Sequence, residues 1–197
     1  LFDLRLIRSY PRVRDLVLVS SIAWFALATL EGTFGRLIKA TLGFDQSHFG
    51  VVFGFESLVG FTVQAYLLAV IAKRLRDGTM LRGAYVLQGL GLGLTPFTYL
   101  FPIPGFWLPV LLSFSLLFAV GQGIANPTIN SLCSKLTPED RQGELFGLLQ
   151  GARSLGFIAG PLIGGVLFDW HPSSPYLLAG CVCVLAAVLV KVDEAEL

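Results

Sequence analysis

The sequence predicts an all-α membrane protein of six transmembrane helices with both termini on the cytoplasmic side. Three observations carry that expectation. The chain is 54% hydrophobic and only 14% charged, with a mean hydropathy of +0.74, well outside the range of soluble domains. Residues 83–134 hold no charged side chain, more than twice the ~20 residues one spanning helix needs. That stretch must therefore cross twice, and Pro102, Pro104 and Pro109 around Gly105 supply the reversal. Finally, the basic residues gather on one side of the alternating links.

The same length rule places spans at residues 16–41, 49–72, 83–100, 107–133, 145–168 and 176–190. No two-residue β alternation competes, and nothing is left over for a soluble domain. Three regions follow: a cytoplasmic lead-in over 1–15 that would end a central loop, the six-helix domain over 16–190, and a cytoplasmic tail over 191–197. The links on one side hold Arg5, Arg8, Arg12, Arg14, Lys73, Arg74, Arg76, Arg82, Lys135, Arg141 and Lys191, while those on the other hold none. Cytoplasmic loops retain Lys and Arg, so that asymmetry sets the orientation. The chain opens on Leu1 without a cleavable signal pattern and reads as a piece of something longer.

Taken in order, the helices differ in polarity. The first carries Glu31, Arg36 and Lys39, the second Glu56 and Gln64, the fourth Gln122, Asn126 and Asn130, and the fifth Arg153. The third has only Gln88, and the sixth has no strongly polar side chain. A charge in the bilayer costs roughly 2.5–3.5 kcal/mol on insertion scales, so such groups point inward. The third and sixth helices are thus expected to face lipid, and the other four to face protein or water. From a rise of about 1.5 Å per residue, Glu31 lies roughly 22 Å from the cytoplasmic end, at a depth similar to that of Glu56.

These side chains are the candidate substrate and proton sites, each with a structural alternative. Glu31 is either a protonatable coupling group or a carboxyl that braces a neighbouring helix. Glu56 could share that role or pair with Arg36 or Lys39. Arg153 could bind an anion, balance a carboxylate or tie two helices together. Gln122, Asn126 and Asn130 recur every four residues as one polar stripe, facing a cavity or another helix. Trp24, Leu27, Glu31 and Phe34 are read as one aromatic and acidic face, suited to amphipathic cations or to plain packing.

The fifth span contains a glycine ladder: Gly147, Gly156, Gly160, Pro161, Gly164 and Gly165. Gly156, Gly160 and Gly164 share a helix face and would admit a second backbone, while Pro161 removes an internal hydrogen bond. This is the candidate packing and gating element.

Enzyme chemistry finds no foothold. His48 and His171 lie in outer links, Cys133, Cys181 and Cys183 fit neither a disulfide framework nor a metal site, and Gly89, Gly91 and Gly93 sit mid-membrane rather than at a phosphate loop. No cofactor, no metal and no nucleic acid is expected.

With its ladder, its segments 30–34 and 50–64, and residues 138–147 (Thr-Pro-Glu-Asp-Arg-Gln-Gly-Glu-Leu-Phe-Gly, counted from Thr137) running into Gly160 and Pro161, the chain resembles one six-helix half of a major facilitator superfamily transporter. The likeness is to the drug/proton antiporter branch. The link 73–82 matches poorly the Gly, Asp and Arg signature of a first half, which favours the C-terminal half. The resemblance implies that the first and fourth helices line a cavity, the second and fifth meet the other half, and the third and sixth face lipid. It also implies export of small amphipathic molecules by proton antiport with alternating access, in a bacterial inner (plasma) membrane. The partners would be a small-molecule substrate, protons, the lipid bilayer and a second six-helix half, either an N-terminal half or a second copy. A metabolite or sugar facilitator of the same superfamily, and a non-transporting six-helix module from a truncated product, remain open.

Overall fold

A computed structural model describes residues 9–190. Six long helices account for nearly all of it: α1 (Pro11–Leu42), α2 (Gln46–Ile71), α3 (Asp77–Leu94), α4 (Trp107–Lys135), α5 (Gln142–Trp170) and α6 (Ser174–Leu189). The lead-in expected over 1–15 is described only from Ser9, and the tail expected over 191–197 lies outside the described residues. By length and composition, four helices are suited to cross a membrane: Pro11–Leu42, Gln46–Ile71, Pro104–Lys135 and Glu139–Trp170; Ser174–Leu189 is apolar but shorter.

Local chemistry sets the helix ends. Pro11 opens α1, where its missing N–H costs nothing. Gly43, at φ 67°, ends it in the left-handed region that a side chain disfavours. Two residues on, Asp45 caps α2 by accepting from the Ser47 and His48 amides at 3.0 and 3.2 Å. The third helix starts six residues before its apolar run, because Asp77 and Arg82 continue the helical turns past the uncharged stretch. After Leu94, with Pro96 near the start, the chain tightens to a 3₁₀ segment, Thr95–Leu100.

Two interior irregularities were invisible in the hydropathy pattern. In α2, Val63–Leu67 widens into a π turn. Pro127 sits inside α4 as Pro161 sits inside α5, and both helices run on through their prolines.

Packing traces an open arc. α2 lies on α4, α4 on α3, α3 on α6, α6 on α1, and α1 on α5, with a lighter α1–α4 contact across the inside. Two apolar cores stack along the bundle. One joins Leu16, Tyr85, Leu132, Leu145 and Ala186, and the other Phe34, Leu37, Leu92, Leu111 and Tyr176. The ends of the arc, α2 and α5, do not pack on each other and carry its barest apolar faces. These include Leu58, Phe61 and Tyr66 on α2, and Leu155, Ile158 and Leu162 on α5.

α3 and α6 are packed on one side and turn apolar residues outward on the other, Leu185, Val188 and Leu189 of α6 among them. α3 is wedged between α4 and α6, and its exposed apolar residues, Val86, Leu90 and Leu94, form a single row. Its Gln88 is only 1% exposed and donates to the Gln122 side chain of α4. α6 is anchored by a polar group: the hydroxyls of Tyr176 and Thr33 lie 3.0 Å apart in the interior. The close contacts of α3 and α6 are made by glycines, which carry no polarity signal.

Candidate functional site: the open face between α2 and α5

The mouth of the arc gathers most of the intramembrane charge. Glu31 on α1 lies within electrostatic range of Arg153 on α5 and of Glu56 on α2. The Ser115 hydroxyl of α4 lies near the Glu56 carboxyl. Four helices thus contribute to one acidic and basic patch, although the three charges are far apart in sequence.

The Arg153 guanidinium carbon sits 4.1 Å from the centre of the Trp24 ring and 5.6 Å from that of Phe157. The two rings lie 5.9 Å apart at 37°. A missing side chain makes this arrangement possible. A Cβ on Gly156 would stand 2.7 Å from the Phe25 nitrogen and 2.9 Å from the Trp24 Cβ, so only glycine lets α5 come this close. Arg153, one turn earlier, and Phe157, the next residue, then flank the indole.

The polar stripe of α4 divides. Gln122 and Asn126 line a small pocket with Ser20, Trp24 and Tyr85 between α1, α3 and α4. Asn130 is partly buried and outside that pocket's lining. Gln64 is exposed within the π turn of α2.

Phe34 does not join the site. It is 1% exposed and packs against Phe49 and Phe53, with ring centres 5.8 and 5.6 Å away. Ten residues at about 100° each turn it roughly 80° away from Trp24, enough to carry it off the shared face and into the core. The suggested pairing of Glu56 with Arg36 is also not what forms. Arg36 donates to Asp169 at 2.7 Å and lies over the Phe168 ring at 4.4 Å, joining α1 to α5 near the C-terminal ends of both helices.

The glycine ladder resolves into a packing row and two bystanders. Besides Gly156, a Cβ on Gly160 would meet the Ala28 Cβ at 2.7 Å, and one on Gly164 the Thr29 Cγ2 at 3.0 Å. Pro161 rests on Gly32, whose absent Cβ would lie 3.1 Å from the proline Cβ. Gly147 and Gly165 have open space around them.

A second glycine seam escaped the sequence reading. A Cβ on Gly89 would stand 2.8 Å from the Gly180 carbonyl of α6, one on Gly91 2.6 Å from the Phe118 nitrogen of α4, and one on Gly121 2.5 Å from the Ala84 carbonyl of α3. Two-residue spacing was the available signal. It turns successive glycines about 200° apart, so Gly89 and Gly91 serve different neighbours. Among the described residues, no group of three or more His, Cys, Asp and Glu side chains could hold a metal ion.

The profile of the Major Facilitator Superfamily matches residues 16–196. The chain is 24% identical over 184 residues to "Quinolone resistance protein NorA" of Staphylococcus aureus, covering 93% of this chain and 44% of that protein. It is 24% identical over 168 residues to "Multidrug resistance protein 2" of Bacillus subtilis (85% of this chain, 40% of that one). With "Multidrug resistance protein 1" of the same organism it shares 26% over 164 residues, 83% and 39% of the two chains. The chain thus spans less than half the length of the curated relatives it matches.

Proposed function

Because the chain belongs to the major facilitator superfamily and is an integral membrane protein, we propose that it forms one half of a secondary active transporter that exports small amphipathic molecules in exchange for protons. In this reading all six long helices span the bilayer, α3 with its 3₁₀ extension, and both termini face the cytoplasm. The membrane is a bacterial inner (plasma) membrane, a reading supported by the bacterial source of the relatives. A second six-helix half, either an N-terminal half or another copy, closes the pathway, and access alternates as the two halves rock about a midplane site.

The observation that carries the proposal is the convergence of Glu31, Glu56 and Arg153, with Trp24, on the open face between α2 and α5. Intramembrane charges are expensive and gather where a path for ions or substrate runs. The resistance named for the relatives supports efflux of small molecules over uptake of a sugar.

Glu31→Gln tests the coupling, since it keeps the shape and removes the titrating proton. In the full transporter reconstituted in vesicles, transport driven by a pH gradient is expected to fall to the rate seen without a gradient, while substrate binding persists. Normal coupling in this variant would move the proton path to other residues and return Glu31 to a bracing role.

A further inference from the structure

Building on the reading of this face as an export path, we propose that Arg153 is a tethered occupant of an aromatic and acidic cation cage, and that a cationic substrate binds by displacing it. The aromatic walls are Trp24 and Phe157, and Glu31 supplies negative charge from about two turns along the same face of α1. The occupant lies over the indole at 4.1 Å and beside the phenyl ring at 5.6 Å, with Glu31 within electrostatic range.

Three features separate a replaceable plug from a structural tie. The first is the grip: among the described residues no carboxylate makes an ion pair with Arg153, so it is held chiefly by ring faces. Arg36 offers the contrast on the same helix pair, being both over a ring and bonded to Asp169 at 2.7 Å. The second is position. Arg153 is exposed on the open side of the arc while the Gly156 contact fixes the rings beneath it, so the guanidinium can leave without unpacking the helices. The third is chemistry: a guanidinium is planar, delocalised and weakly hydrated, and so imitates a delocalised or quaternary organic cation better than an ammonium would.

Occupancy of one cage by one cation then sets specificity. A monovalent organic cation with apolar bulk gains the rings and Glu31 once Arg153 swings out. A neutral compound leaves Arg153 in place.

Equilibrium binding of tetraphenylphosphonium to the full transporter in detergent, with no pH gradient, tests this. Arg153→Gln removes the competitor and is expected to tighten binding about 2- to 5-fold, the worth of an exposed cation–π contact. Arg153→Lys keeps a positive charge and should stay nearer the wild type. In a Trp24→Leu background the gain from Arg153→Gln should vanish, a non-additivity that a merely structural arginine would not produce. If the wild type binds the probe and Arg153→Gln binds equally or more weakly, the tethered-occupant role is overturned while the export reading stands. Equal tightening by Gln and Lys would also overturn it, by showing that bulk rather than charge blocks the cage. If neither wild type nor Arg153→Gln binds the probe, the cage is overturned as a site for organic cations, while export of other amphipathic molecules stands. Loss of proton coupling alone cannot mimic any of these results.

Discussion

Thr29 on α1 donates its hydroxyl to the carbonyl of Gly160 on α5 at 3.3 Å, on the face where Gly160 meets Ala28 and Thr29. This bond reaches a backbone oxygen one turn before Gly164, the carbonyl that the Gly164 amide would ordinarily use. The same hydroxyl also donates to the Phe25 carbonyl at 2.8 Å. With Pro161 resting on Gly32 and Arg36 bonded to Asp169, α1 and α5 are fastened along their C-terminal halves. The glycine row therefore joins α1 to α5 within this chain.

Gly160→Leu should abolish turnover. A Cβ there already meets Ala28 and the Thr29 nitrogen below 3.0 Å, and three further carbons have no room. Overpacking of this kind costs typically about 1–3 kcal/mol, and here it would also prise Arg153 and Phe157 from Trp24. The expected result is normal membrane insertion, a lowered unfolding temperature and no measurable transport. Wild-type transport would mean that the α1–α5 seam has no part in the cycle.

The second seam gives a sharper comparison. Gly121→Ala places a methyl 2.5 Å from the Ala84 carbonyl and 2.8 Å from the Gln88 nitrogen, both backbone atoms that cannot rotate aside. Gly83→Ala, in open space on α3, should instead be neutral or stabilising by up to about 1 kcal/mol through helix propensity. Thermal unfolding of the two variants in detergent separates them. Equal melting temperatures would show that α3 and α4 do not pack as closely as these distances require.

These examples show what the sequence made legible. Uncharged runs located all six helices because desolvated charge is costly, but their ends were missed where Asp77 and Arg82 extend α3 past the apolar stretch. Glu31, Glu56 and Arg153 stood out for the same energetic reason. Phe34 was misplaced because a small angular drift over ten residues crosses from an open face into a core. The close packing of α3 on α4 and α6 was hidden because glycine seams depend on what the opposite helix presents. The π turn at Val63–Leu67 likewise left no mark in hydropathy.

At the start of α2, hydrogen bonds from the Ser47 hydroxyl and from His48 hold the Asp45 carboxyl well below the usual carboxylate range. A depressed folded-state value means that the cap's stabilising contribution is present above the unfolded value, near 3.8, and is lost as pH falls through the lower folded one. The first turn of α2 should therefore stay protected from neutral pH down through mildly acidic pH. Asp45→Ala should fray it at every pH. Hydrogen exchange at the Ser47 and His48 amides reads this out, and unchanged exchange in Asp45→Ala would remove the cap from the account.

Orientation is the last expectation, and the alternating helices make it testable at several points at once. One end of the bundle brings together the Lys135–Asp77 pair at 2.7 Å, the Arg82 bonds to the Val190 carbonyl at 2.8 and 3.0 Å, and the Arg141–Glu144 pair at 2.6 Å. The other end holds Asp45, Gly105 and His171, all exposed. Basic residues mark the cytoplasmic side, so single cysteines at Asp45, Gly105 and His171, in a background lacking Cys133, Cys181 and Cys183, should react with an impermeant thiol reagent added to intact cells. Cysteines at Glu139 and Arg74 should react only after permeabilisation. Ser173, in the same outer link, is 5% exposed and would be a poor reporter. The reverse labelling pattern would invert the molecule and place Glu31 and Glu56 in the cytoplasmic half of the membrane.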